Sequence, residues 1–199
     1  MLFRSLGVDS WPRVELRNRY VECDYLHFPS AVGETGSLSP HALRFLRERF
    51  LGPTPAQTGR RRIYLSRRLA GRRDILNEDE IRPILESHGI ESIAAETMPL
   101  REQIALFADA ELVVGAHGAG LSNLVFAPPS CRVLEIFTPT CLRWMYYFLC
   151  AQLGQRYHYL IEERAVAAGA HHRDSGFDNL RLDPDRLRRA LDRVLQSRD

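Results

Sequence analysis

A histidine framed by glycines invites the first question this sequence raises. In Val113-Val114-Gly115-Ala116-His117-Gly118-Ala119-Gly120-Leu121-Ser122-Asn123, two β-branched residues run into three glycines and then into a hydroxyl and an amide. The β-branched pair reads as the end of a strand, and the glycine-rich stretch after it reads as a turn into the start of a helix. Backbone N–H groups at a helix start point outward and the helix dipole favours negative charge there, so this layout forms an anion site. Gly115, Gly118 and Gly120 let the backbone come close to a ligand, while Ser122 and Asn123 add donors in the first turn. The spacing, Gly115-x-x-Gly118-x-Gly120, is not the Gly-x-Gly-x-x-Gly of dinucleotide-binding folds. Taken alone, the segment is either an anion cradle or a tight structural turn. His117 can donate to a phosphate or sugar hydroxyl or accept a proton near neutral pH. It can equally tie the turn to its neighbours.

A second cluster is basic. Tyr64-Leu65-Ser66-Arg67-Arg68 is followed by Arg72-Arg73-Asp74-Ile75-Leu76-Asn77-Glu78. An arginine leaving the C-terminal end of a strand lies where open α/β sheets bind ligands, and its planar fork matches phosphate oxygens in pairs. An arginine run by itself is a solvated face. Beside a glycine anion turn it points to a diphosphate held from two sides.

Metal chemistry has less to work with. Holding a divalent ion on a diphosphate takes paired carboxylates, and the DxD string here is Asp183-Pro184-Asp185. It opens the last predicted helix, where capping and first-turn carboxylates are expected for structural reasons. His171, His172 and Asp174 sit in a predicted loop without a spaced third ligand. No metal site is expected.

The elements that must position these residues follow an alternating rhythm from about residue 61 onward, the signature of strands and helices around a parallel sheet. Strands are expected at 62–66, 91–95, 112–114, 132–137 and 157–161. Helices are expected at 77–88, 100–110 and 142–153, with a final one from Asp183 and Pro184 in its first position. Asn77 and Glu80 form an expected capping box, and Gly89 an expected C-terminal stop. Residues 165–182 read as a loop. Upstream, residues 21–28 are a candidate strand, and Ser39-Pro40 opens a helix to about Phe50. The expected fold class is α/β, a Rossmann-like open parallel sheet with helices on both faces.

Bulk composition excludes several classes. With 199 residues and 45% hydrophobic content, one sizeable core is available. The 27 basic residues, all arginine, nearly balance 25 acidic ones, so no global field argues for nucleic acid or an anionic membrane surface. The absence of lysine reads as codon bias. No apolar stretch approaches the roughly 20 residues of a membrane span. The four cysteines show no CxxC spacing, which fits a reducing compartment and a cytoplasmic location. The aromatic run Trp144-Met145-Tyr146-Tyr147-Phe148 carries more apolar surface than one helix face can bury, which leaves three readings: a homodimer interface there or in the N-terminal segment, a separate acceptor-domain partner, or a helix fully covered by the sheet.

The ordered set Tyr64-Leu65-Ser66-Arg67, Arg73-Asp74-Ile75-Leu76-Asn77-Glu78, the glycine turn with Leu124-Val125-Phe126, and Val133-Leu134-Glu135-Ile136 resembles glycosyltransferase family 61. That family includes bacterial capsular-polysaccharide-type enzymes, plant xylosyl- and arabinosyltransferases and animal O-linked N-acetylglucosaminyltransferases. The resemblance runs from about residue 60 to 137 and extends toward the C-terminus; Leu26-His27-Phe28-Pro29-Ser30 and Ser39-Pro40-His41-Ala42 resemble the stretch upstream. It implies one half of a GT-B type enzyme that inverts at the sugar carbon, takes sugar from a nucleotide donor, usually a UDP-sugar, and requires no metal or other cofactor. Its partners would be the nucleotide sugar and a glycan acceptor.

Carried over by residue, Ser66, Arg67 and Arg73 would face the donor phosphates, and Asn77 and Glu78 would shape the nucleotide side. Gly115, Gly118, Ala119, Gly120, Ser122 and Asn123 would cradle the diphosphate. His117 would lie next to the leaving group as the candidate catalytic residue. Glu135 would meet the ribose hydroxyls or cap the next turn. Family members are longer, with an acceptor-binding domain before the matched segment. The expected division is therefore an N-terminal segment, residues 1–58, at the junction to a missing or reduced acceptor domain, and a nucleotide-sugar-binding domain, residues 59–199. The general base would then come from the other half or, within this chain, from His117. Two further readings are a non-catalytic nucleotide-binding remnant or partner module of a split glycosyltransferase, and an NAD-dependent oxidoreductase, which the missing dinucleotide fingerprint disfavours.

Overall fold

The computed structural model describes residues 10, 24–25, 33–34, 37–52, 59–68, 73–163 and 179–197. Of the strand expected over 21–28, only Asp24 and Tyr25 are described, and neither is in a strand. His171, His172 and Asp174 lie outside the described residues.

A small antiparallel hairpin, β1 (Gly33–Glu34) and β2 (Ser37–Leu38), leads into α1 (Pro40–Leu51). Ser39 caps α1 through its Oγ, which accepts from the Ala42 N–H at 3.2 Å, and Pro40 follows where its missing N–H has no cost. The main sheet begins with β3 (Arg61–Leu65) and continues through α2 (Glu78–Ser87), β4 (Ile90–Ile93), α3 (Leu100–Ala108) and β5 (Ala110–Ala116). A 3-10 helix (Ala119–Phe126) then crosses to β6 (Arg132–Phe137), followed by α4 (Met145–Leu153), β7 (Arg156–Ile161) and α5 (Pro184–Gln196).

The five strands are all parallel, in the order β4-β3-β5-β6-β7. Both faces are covered, as parallel sheets require. Successive residues of a strand point to opposite faces. Accordingly Ile63, Leu65, Val113 and Val133 pack beneath α1, α3, α4 and the 3-10 helix. Tyr64, Leu112, Val114, Leu134 and Ile136 pack on the other face with α2 and α5. The fold is the open, Rossmann-like α/β sheet expected from the alternating pattern.

Several local expectations change. The segment after the glycine turn is a 3-10 helix and not an α-helix. Leu121, Leu124 and Ala127 are each 0% exposed, and a helix of three residues per turn aligns that spacing of three in one buried row. Pro128 and Pro129 follow at once and disfavour helical geometry before them. The Leu124, Val125 and Ala127 carbonyls at its end are satisfied by side chains: Arg47 donates to Val125 and Ala127, and Gln155 to Leu124 and Ala127. Asn77 occupies the cap position of α2 but makes no cap hydrogen bond. Its amide instead clips the distant chain, donating to the Leu182 carbonyl at 2.8 Å and accepting from the Leu182 N–H at 3.0 Å, with a further bond to Glu80. Buried backbone groups must be paired, and that demand outweighs the capping box. Residues 179–182, read as loop, therefore join the core: Leu180 bridges Ile75, and Leu180 and Leu182 are each 1% exposed.

Candidate active site

The chain steps from β3 outward to β4 and then back across to β5, so the strand order changes direction between β3 and β5. Loops leaving the C-terminal ends of two such strands diverge, one to each face, and open a crevice where α/β sheets bind ligands. Leu65 pairs with Gly115 at that end, so Ser66-Arg67 and His117-Gly118 leave the sheet side by side.

A cavity of about 420 Å³ lies there, within the usual range for ligand sites. Ser66, Arg67, Arg73, Gly118, Ala119, Gly120 and Asn123 line it, together with Ala95 and Glu96 beyond β4 and Gln103 of α3. The glycines have different reasons. A Cβ at 115 would press on the Leu65 side chain at 3.1 Å, so Gly115 serves strand packing. A Cβ at 118 would lie 2.0 Å from the Arg67 guanidinium, so Gly118 makes room for the arginine. Burial, and next to it the charge of Arg73, lower the pKa of Arg67. The repulsion between the two guanidinium groups favours an anion between them. Arg73 has the left-handed backbone, φ 55°, that non-glycine residues seldom adopt, which turns the chain into the cavity wall. The 3-10 helix starts at the same cavity, where its Leu121 N–H donates to the Gly118 carbonyl at 3.0 Å.

Other expected residues stand behind this lining. Glu78 is 7% exposed and gathers donors from the loop after β3: the Tyr64 and Ser66 hydroxyls, the Arg67 N–H and the Arg68 guanidinium. It shapes the arginine loop and does not line the cavity. Asn77 holds Leu182, away from it. Ser122 turns toward Tyr146, whose hydroxyl donates to the Gly118 carbonyl at 2.8 Å. Asn123 donates to Gln103 at 2.8 Å.

His117 turns its ring toward β6. It lies between Phe137 and Tyr146, with centroids at 5.5 and 5.4 Å, and its Nδ1 is 2.6 Å from Glu135 Oε1. Glu135 is 0% exposed, its other oxygen accepts from the Tyr157 hydroxyl at 2.7 Å, and neither oxygen is open to a ribose. Tyr146, Tyr157, Phe137 and Gln103 carry no sequence signal for a site. Only the aromatic run marks Tyr146, and it marks it as apolar surface.

Asp183 caps α5 by accepting from the Asp185 and Arg186 N–H groups, and Asp185 pairs with Arg188. Among the described residues, no three His, Cys, Asp or Glu side chains gather as a metal cluster would.

The family model Glycosyltransferase 61 matches residues 6–134, well over half of the chain. The chain belongs to glycosyltransferase family 61. An EGF domain-specific O-linked N-acetylglucosamine transferase of Drosophila melanogaster is 34% identical over 95 residues, 45% of this chain and 18% of that protein. Beta-1,2-xylosyltransferases of Oryza sativa subsp. japonica and Arabidopsis thaliana are 49% identical over 41 residues and 33% over 61. These matches cover 21% and 31% of this chain, and 8% and 11% of the two plant proteins. The family 61 chain thus matches only a small part of each of these longer relatives.

Proposed function

We propose that this chain is the donor-binding half of an inverting, metal-independent glycosyltransferase that takes sugar from a nucleotide sugar, a UDP-sugar, and passes it to a glycan acceptor. The observation that carries the reading is the cavity at the change in strand order, lined together by Arg67, Arg73 and the Gly118–Gly120 backbone. When the bond to the sugar breaks, negative charge grows on the leaving diphosphate. Fixed donors aimed at that charge lower the barrier without a metal ion. The use of Asp183 and Asp185 in the cap of α5 supports metal independence. Relatives named for moving N-acetylglucosamine and xylose support a sugar nucleotide as donor. The acceptor is held by a separate domain or by a second copy of the chain, seated on the exposed aromatics of α4. A cytoplasmic location suits the buried free thiols of Cys131, Cys141 and Cys150.

Calorimetric titration with UDP, GDP, CDP and NADH tests the reading. UDP is expected to bind selectively, and Arg67→Ala and Arg73→Ala each to weaken it about tenfold or more, as loss of a charged hydrogen bond does. Binding of NADH without UDP would turn the assignment to an oxidoreductase. No nucleotide binding at all would leave a remnant of the family.

A further inference from the structure

The sheet ends on two unlike edges. β4 is four residues long and carries Glu91, paired with Arg61 at 2.6 Å, whereas β7 has six residues and no acid or arginine after Arg156. Among the described residues no strand lies beyond β7. Alternate residues of a parallel strand bond to alternate sides. The Arg156 and Glu162 N–H groups donate toward β6, to the Cys131 and Phe137 carbonyls, so the N–H and C=O groups of Tyr157 and Tyr159 point to the free edge. The Ile161 carbonyl points the same way and accepts from Arg186 at 2.8 Å. A long edge without charges of its own is a template for another strand.

Helix α5 runs back along this edge, from Arg186 at Ile161 to Ser197, whose carbonyl accepts from Arg156 at 3.0 Å. Arg186, Arg189 and Arg193 recur on one helix face. With His158 and Leu160 they line a groove of about 530 Å³ between α5 and β7 whose lining holds no acidic side chain. Past one end, Glu162 accepts from Arg186 at 3.3 Å and Asp183 lies within range of Arg189 and Arg186. The Arg193 side chain has no such partner among the described residues. Burial, and after it the charges of Arg132 and Arg156, lower the pKa of His158, so the positive field reaches across the strand. Tyr159 shares the opposite face with Tyr157, which meets Tyr147 of α4, and is 62% exposed.

We propose that β7 takes an extended acidic peptide as an added strand: its backbone pairs with Tyr157 and Tyr159, its carboxylates face Arg189 and Arg193, and the alternate, apolar side chains lie on Tyr159. Strand addition of this kind draws affinity from main-chain bonds and specificity from alternate side chains. A second copy of the chain fits this edge poorly. Antiparallel pairing of two β7 edges is two-fold about an axis normal to the sheet, so both α5 helices fall on the same face with their arginine rows side by side. Like charges so placed repel, and an acidic strand replaces that repulsion with attraction. The groove lies along β6 and β7, apart from the donor cavity at β3 and β5, so a peptide and a sugar donor can be held together.

The probe is a capped octapeptide of alternating glutamate and valine, added to the full chain. Hydrogen exchange followed in ¹H–¹⁵N spectra is expected to slow at the Tyr157 and Tyr159 amides when it binds. Reversing the charges in the double variant Arg189→Glu, Arg193→Glu should weaken binding about tenfold by calorimetry and leave the melting temperature close to wild type, because both side chains are exposed. Tyr159→Pro removes an edge N–H where proline is tolerated and should weaken binding as well; should it fail to fold, the arginine variant still decides. Binding without slower exchange at the two amides overturns the proposal. So does equal affinity for an isomer with its glutamates and valines in two blocks, or for the peptide with lysine in place of glutamate. Equal protection by oligogalacturonate would replace the peptide with an acidic sugar chain, and protection that rises with concentration in the free chain would give the edge to a second copy; either result overturns the assignment.

Discussion

Gly118 and Arg67 share a volume that admits only one side chain. The Cβ of an alanine at 118 would meet Arg67 Nη1 at 2.0 Å and Cζ at 3.0 Å, both at the far end of a flexible side chain. Gly118→Ala should therefore fold normally and push the guanidinium out of the cavity wall. We expect UDP affinity to drop about tenfold by calorimetry, with a melting temperature close to wild type. A melting temperature that collapses would show that the glycine serves the fold and not the ligand. The neighbouring Gly115 is the contrast, since its Cβ would strike Leu65 within the sheet. Two glycines three residues apart look alike in the sequence. Only their neighbours from β3 tell them apart.

Among the elements, α5 shows how a motif with catalytic looks is used for structure. Hydrogen bonds from the Arg186 and Asp185 N–H groups to the Asp183 carboxylate lower its pKa below the ordinary value of 3.8. A carboxylate whose folded pKa is depressed stabilises the fold above the unfolded value and loses that contribution as pH falls through the folded value. Asp183→Ala should accordingly melt below wild type at neutral pH, with the gap closing in acid well below pH 3.8. Thermal melts followed by circular dichroism across that range check it; a gap that persists unchanged in acid would mean that the carboxylate's charge plays no part. The 3-10 helix makes the same point in reverse. Its residues read as an α-helix start, but the short crossing from β5 to β6 and the buried row Leu121, Leu124 and Ala127 impose the tighter winding.

For the whole molecule, the sheet order gathers the cavity residues at the C-terminal ends of the strands, while the outer side of α4 stays exposed. Tyr146 is 4% exposed, whereas Trp144 is 65%, Tyr147 46% and Phe148 49% exposed. Tyr147 packs on Trp144, Phe148 and Tyr157 in edge-on contacts, so these rings form one patch. Exposed apolar patches of this kind mark interaction surfaces. With no other partner in solution, light scattering should show a mass that rises with concentration, and Phe148→Ser should lower it. A monodisperse monomer at high concentration would leave this face to a separate acceptor domain.

Much of this protein is written locally. The alternation of apolar runs, Pro184 after Asp183, Ser39 before Pro40, and Gly89 after α2 are signals that neighbouring residues alone enforce, and they announce the parallel α/β sheet and most of its elements. The arginine and glycine segments at the switch are legible for the same reason, because strand ends and phosphate-binding residue types are local features. What each residue does there is decided only by the tertiary structure. Glu135 lies 18 residues from His117 and 22 from Tyr157, and Asn77 lies 105 from Leu182. Such partners are chosen by strand register and by the need to pair every buried polar group. No spacing in the chain encodes that choice.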